Sequence, residues 1–272
     1  MRQLAAGHVP GAHRSRRGDS GLEFRGHVAL ADAGDLRRID LHASVRDPLG
    51  LHSGNWQVKV FSERKAVSVV VVADLSASMG FEGRRRRLDV LADFTAATAR
   101  SAWRHGDAFG FVGCDDEVRA AWTLPPTRQR GAGEALAARL RALEPAGGAG
   151  GLRQAAASLP VRRSLVFLVS DFHAPLDSID ASLGALAAHE LVPVVLWDAE
   201  EFAPPADGIA YLVDAESGAR RMVWMRPALR ERWHAARVER RAALHALFDR
   251  HRLDPLELFD GYRADAVTAH FV

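Results

Sequence analysis

The chain reads as an α/β protein built on a mostly parallel sheet flanked by helices, and three observations predict this. Residues 69–72 and 165–169 are near-continuous apolar runs, the composition of central strands buried on both faces. From residue 66 onward strand-like and helix-like segments alternate, the rhythm of a parallel sheet covered by helices. At 272 residues and 48% hydrophobic content, the chain is long enough to bury one sizeable core.

Residues 1–21 are rich in Gly, Arg and Ser and lack periodicity, so a loose or partner-dependent arm is expected there. Between residues 22 and 61 the pattern is short and irregular, with turn signals at Ala33-Gly34-Asp35, Asp47-Pro48 and Ser53-Gly54-Asn55, which suits an extended layer. Strands are then expected at 66–73, 108–113, 118–122, 164–169, 191–196 and 221–225. Helices fit 87–104, 133–143, 152–159 and 179–189. In the first of these, Leu88, Leu91, Ala92, Thr95, Thr98 and Ala99 recur at helical spacing and give a stripe that can lie on the sheet. Pro227 opens a longer helix towards Arg250, with Leu229, Trp233, Ala236, Leu244 and Leu247 expected to pack on the core. The expected organisation is therefore an arm and extended segment over 1–65, a sheet domain over 66–255, and a C-terminal tail over 256–272 packed on that domain.

Composition narrows the function classes. The formal net charge of +2 gives no dense basic face, so nucleic acid is not an expected partner. A single cysteine, Cys114, rules out an internal disulfide framework and a cysteine-based zinc site, and its place at a strand end reads as a buried, inert thiol. No apolar segment reaches signal-peptide or membrane-spanning length, and a cytoplasmic protein without a membrane span is expected.

The chemistry concentrates after the first apolar run, in "VVVVADLSASMG". Ligands of open α/β sheets bind beyond the carboxyl ends of the strands, where strand order reverses. Asp74, Ser76 and Ser78 stand there, and Asp171 follows another central strand in "VSDF", so the four can converge at one edge. Oxygen donors of this kind suit a hard cation such as Mg²⁺. Arg84 to Arg87 follow the loop and should lie on its rim, as a solvated face or as a patch that steers an acidic partner. The histidines, His173 included, form no zinc-binding spacing. Neither a Gly-x-Ser-x-Gly elbow nor a Gly-x-Gly-x-x-Gly turn follows the first strand.

"DLSASM" resembles the Asp-x-Ser-x-Ser metal motif of von Willebrand factor A domains, and "SDF" stands where those domains commonly carry Ser-Asp-Gly. The upstream segments 21–24, 34–40 and 44–46 resemble the Gly-x-Glu-Phe, Gly-Asp-x-x-Arg-x-Ile-Asp and Ser-x-Arg segments of the bacterial DUF58 family, with Leu41 where that family commonly has Trp. The resemblance covers roughly residues 14–200. It implies a von Willebrand A-type fold of six mostly parallel strands flanked by helices, Mg²⁺ held by Asp74, Ser76, Ser78 and Asp171, and no catalysis. It also implies an adaptor that works with a MoxR-type AAA+ ATPase and a client protein, in remodelling or metalloenzyme maturation. One departure bears on the ion: the Gly-rich loop that commonly supplies a Thr ligand has Ala149 or Gly150 at that position. Two alternatives stand beside the adaptor. One is a metal-dependent phosphohydrolase using Asp74, although Ser76 replaces the second Asp that haloacid-dehalogenase enzymes use as general acid. The other is a degenerate von Willebrand A domain that binds its partner without metal, with Asp74 and the serines satisfying turn donors.

Overall fold

The valine run forms the middle of the sheet in the computed structural model of the chain, which describes residues 10–14, 23–33, 36–46, 56–62, 64–201, 203, 208–213 and 218–271. The chain divides into two compact units, Met1–Val67 with His105–Asp107, and Ser68–Arg104 with Ala108–Val272.

In the first unit, β1 (Pro10–Arg14) pairs antiparallel with β4 (Arg64–Lys65), so part of the expected loose arm is a strand. The segments β2 (Glu23–Ala29) and β3 (Gln57–Ser62) form a second antiparallel pair, joined through the short helices α1 (Leu30–Ala33) and α2 (Leu41–Arg46). Asp40 and Ser44 explain why this segment carries an Ile-Asp and a Ser-x-Arg. Asp40 Oδ1 accepts the amides of His42 and Ala43 at 3.0 and 3.2 Å, capping α2. The buried Ser44 hydroxyl donates to the Asp40 carbonyl at 2.7 Å and accepts the Gln57 amide at 2.9 Å, tying helix to strand. His27 and Lys59 lie 2.9 and 3.2 Å from Asp40 Oδ2, and the bond from His27 holds this carboxyl well below its ordinary range. Residues 21, 22, 34 and 35 of the upstream segments, and the turn signals at 47–48 and 53–55, lie outside the described residues.

In the second unit β5 (Ser68–Asp74), β6 (Ala108–Cys114), β7 (Val118–Thr127), β8 (Leu165–Ser170), β9 (Glu190–Trp197) and β12 (Leu256–Phe259) form one sheet in the order β12-β9-β8-β5-β6-β7. Only β7 runs antiparallel to its neighbour. The expected six mostly parallel strands flanked by helices are thus observed, in the order of a doubly wound sheet. Two expectations change. The strand foreseen at 221–225 is β11 (Arg220–Met225), which pairs with β10 (Gly208–Val213) in a separate hairpin. The sixth strand of the sheet comes instead from residues 256–259, the start of the expected tail.

Alternation of side chains sorts the valines between two cores. Val69, Val71 and Ala73 face Leu88, Leu91 and Phe94 of α3 (Arg87–Arg104) and Leu136 and Leu140 of α4 (Ala132–Arg141). Val70 and Val72 face Ile179, Leu183 and Leu186 of α5 (Leu176–Leu186) and Leu244, Leu247 and Phe248 of α6 (Pro227–Arg250). Both faces of β5 are covered, which is why its run has no polar alternation. The helix expected at 152–159 is a 3-10 segment, Gly150–Ser158, whose Leu152 and Ala155 join the second core. Only the C-terminal part of the α6 stripe is buried; Ala236 is exposed, and Leu229 and Trp233 are half-buried.

Candidate functional site

Strand order reverses between β5 and β8, so the carboxyl ends of these two neighbours frame the crevice. Ala73 pairs with Val169, which sets Asp74 level with Ser170 and Asp171 one residue beyond. The Ser170 hydroxyl donates to Asp74 Oδ2 at 2.6 Å, and the Ser76 amide donates to Asp74 Oδ1 at 2.9 Å. Ser76 Oγ and Ser78 Oγ are 3.2 Å apart on the short 3-10 turn that follows. Asp74, Ser76, Ser78 and Asp171 therefore gather at one edge, as their spacing predicts.

Glycines bring a second loop to this edge. The Ala77 amide donates to the Gly147 carbonyl at 3.0 Å, joining the Asp74 loop to residues 145–151. Gly147 has φ +76°, and a Cβ there would stand 2.5 Å from Asp116 Oδ2; a Cβ on Gly151 would stand 2.5 Å from the Glu117 backbone. The Gly-rich loop is thus required by close backbone packing, and Ala149 and Gly150 bring no hydroxyl to the edge.

The residue that sequence reasoning missed is Arg87. It is 3% exposed, and its guanidinium lies inside the site. Nη1 donates to Asp171 Oδ2 at 2.9 Å and to the Ser78 carbonyl at 2.8 Å, Nη2 pairs with Glu201, and the Phe81 ring covers the group with its centroid at 4.9 Å. Arg87 is a buried partner of the site and not part of a solvated rim. Its neighbours are engaged as well. Arg86 donates to the Arg141 and Leu143 carbonyls at 2.8 and 2.5 Å, capping the end of α4; Arg84 pairs with Asp260 at 3.0 Å and Arg85 with Asp93 at 3.3 Å. Arg86 and Arg87 are thus engaged inside the fold, whereas the ion-paired Arg84 and Arg85 stay about half exposed on the rim.

Glu201, also unforeseen, bridges Arg87 to His173. Burial opposes charge on His173, but the Glu201 bond and the nearby Asp171 and Glu201 charges outweigh it and raise its pKa. For Glu201 burial again opposes charge, and His173 and Arg87 overcome it, holding the carboxyl below its ordinary value. The loop is fixed from behind: Trp197 Nε1 donates to the Asp171 carbonyl at 2.8 Å, and Arg240 donates to the Phe172 carbonyl at 2.8 Å. Phe172, at φ +53° where Ser-Asp-Gly loops have glycine, packs edge-on against Phe248 with centroids 5.3 Å apart.

Asp74 is the outlier in charge. It is 1% exposed, and burial first, then the Asp171 charge, push its carboxyl up to about 6 against the bonds from Ser170 and Ser76. Cys114, buried beside it, has its thiol pushed up to about 12 by burial and the neighbouring carboxylates, the inert thiol expected.

These residues do not fit a resident Mg²⁺ as arranged. Each carboxylate oxygen of Asp74 and Asp171 accepts one donor, the last being Asp171 Oδ1 from the His173 amide at 3.1 Å, which leaves one lone pair apiece, so the neighbouring cation decides the fit. Arg87 Nη1 lies 2.9 Å from Asp171 Oδ2, so an ion at the usual ~2.1 Å from that oxygen would sit within about 5 Å of the guanidinium. At an effective dielectric of ~20, that repulsion is about 6 kcal/mol or more.

A doubly wound sheet that sets two aspartates, two serines and a buried arginine at its switch point defines an α/β domain with a polar, charge-paired crevice. The chain belongs to the DUF58 family, described as "Protein of unknown function DUF58", which matches residues 32–243. Over 105 residues, 37% of this chain and 96% of the relative, it is 39% identical to a Paracoccus denitrificans protein described as "Uncharacterized protein in moxR 3'region". Among solved structures, it is similar to the conserved hypothetical protein BatB from Bacteroides thetaiotaomicron, at TM-score 0.47 and 12% identity, covering 76% of this chain and 96% of that one. It is also similar to a von Willebrand factor type A protein from Catenulispora acidiphila, at TM-score 0.38 and 13% identity, covering 52% and 35% of the two chains. Among the described residues no helix is long and apolar enough to cross a membrane.

Proposed function

We propose that the protein is a non-enzymatic adaptor that pairs with a MoxR-type AAA+ ATPase and presents a client protein for remodelling or metalloenzyme maturation. The observation that carries this reading is membership of the DUF58 family together with the relative described as lying in the moxR 3' region. The crevice suits the role. Its loops are tied to the sheet and to each other by buried bonds, which hold this edge of the sheet stiff for a partner. Asp198 adds to this: its buried carboxylate accepts the Arg84 amide at 2.9 Å and the Glu200 amide at 2.8 Å, which fixes the far end of the Asp74 loop.

Turnover at Asp74 is disfavoured by the same geometry. A nucleophilic carboxylate must be reachable, whereas Asp74 is buried and has both oxygens hydrogen-bonded. Size-exclusion chromatography of the full chain mixed with a MoxR-type ATPase, with and without nucleotide, tests the adaptor reading. Co-elution is expected. Separate elution under every nucleotide condition would sink the partner assignment, and phosphate-ester turnover lost in Asp74→Asn would replace the adaptor with a hydrolase.

A further inference from the structure

We propose that Arg87 is the resident cation of this site: its guanidinium stands between Asp171 and Glu201 in place of a divalent ion, so the crevice is assembled without metal. The place is built for it. The side chain is buried, Nη1 is shared between the Asp171 carboxylate and the Ser78 carbonyl, Nη2 meets Glu201, and Phe81 closes the open face. These contacts link the Asp74 loop, the Asp171 loop and the segment after β9, the first two being the loops that carry the expected ion ligands. Arginine suits this duty because its charge is permanent and its planar fork satisfies several acceptors at once.

The helix explains how the chain delivers it. Arg87 begins α3 and lies three and four residues before the buried Val90 and Leu91, so it shares their inward-facing side. Its aliphatic stem continues the apolar stripe of the helix, and its head emerges under the loop. Leaving that charge unpaired would be costly, so Asp171 and Glu201 are as necessary to Arg87 as it is to them.

The inference rests on the adaptor reading only for its consequence, that the partner surface needs no metal; its test uses the protein alone. Calorimetric titration with MgCl₂ and MnCl₂, and Mn²⁺ electron paramagnetic resonance, are run on the wild type, Asp74→Asn, Arg87→Met, Arg87→Lys and Arg87→Met/Asp171→Asn. The wild type and Arg87→Lys should give no saturable heat and an unchanged free-ion Mn²⁺ signal. Arg87→Met, freed of the positive charge, should bind Mn²⁺ at least about tenfold more tightly than the wild type and melt higher when it is added. The second change, Asp171→Asn, should abolish that gain. Saturable Mg²⁺ or Mn²⁺ binding by the wild type that is lost in Asp74→Asn would overturn the inference, and this arm is decisive even where Arg87→Met does not fold. A folded Arg87→Met that binds no more Mn²⁺ than the wild type would overturn it equally. Failure of the ATPase to co-elute leaves these outcomes unaffected, so the two readings fail separately.

Discussion

Replacing Asp74 by Asn should stabilise the folded protein at neutral pH, although Asp74 sits at the centre of the site. The carboxyl is pushed up from an ordinary 3.8 to about 6, mainly by burial and then by Asp171. Between those two values the folded chain holds a proton that the unfolded chain has released, so stability falls as pH rises through the window. At 1.36 kcal/mol for each pH unit, the ionised carboxylate costs the folded state about 3 kcal/mol above the window. Asn keeps an acceptor for the Ser76 amide, and its amide group can donate to Ser170 Oγ, so most of the hydrogen bonding survives. The assay is urea denaturation of both proteins from about pH 4 to pH 8, followed by the fluorescence of buried tryptophan such as Trp197. The stability of Asp74→Asn relative to the wild type should rise with pH by about 3 kcal/mol, offset by about 1 kcal/mol of weakened hydrogen bonding. An Asn variant whose relative stability falls as pH rises would refute the reasoning, because the ionised carboxylate would then be a stabilising partner.

Other positions test the frame that holds the site. Phe172 adopts φ +53° and packs on Phe248, so Phe172→Ala should lose about 3 kcal/mol in thermal or urea unfolding, and Phe172→Gly should be about 1 kcal/mol less damaging than Ala; Ala more stable than Gly would remove the strain argument. Gly151→Ala sets a Cβ 2.5 Å from the Glu117 backbone and should cost about 1–3 kcal/mol by the same measurement, whereas a neutral effect would show that the loop yields freely. Ser44→Ala leaves the Gln57 amide without its acceptor and should cost about 1–2 kcal/mol, seen as faster hydrogen exchange at Gln57; unchanged protection there would contradict the tie between α2 and β3.

Much of the sheet was legible because its strands are apolar runs long enough to show periodicity. The expected strand at 108–113 is Ala108–Cys114, and the helix at 87–104 is matched at both ends. Leu256–Phe259 was missed because four residues carry no readable period, and it becomes a strand by pairing with β9. At β11 the order was reversed: a real strand was recognised, but only its pairing with Gly208–Val213 shows that it lies outside the main sheet. That Asp74, Ser76, Ser78 and Asp171 gather at one edge was legible from their place at strand ends. Arg87 was not, because a run of like charges reads as one surface. Arg84–Arg86 belong to the bend before α3 and Arg87 is the helix's first residue, so the four do not share one environment. The available signal was the alignment of Arg87 with Val90 and Leu91 on the buried side of α3.

The charge centre of the crevice is tested most directly by a double-mutant cycle on Arg87 and Asp171, with Arg87→Met and Asp171→Asn measured singly and together by urea unfolding at neutral pH. Each single change leaves a buried charge without its main partner and should cost about 3–5 kcal/mol. If Arg87 is the cation around which the site is assembled, the double variant should lose little more than either single one, a coupling of roughly 3 kcal/mol. Losses that simply add would contradict it, and would mean that the two side chains lie 2.9 Å apart without depending on each other.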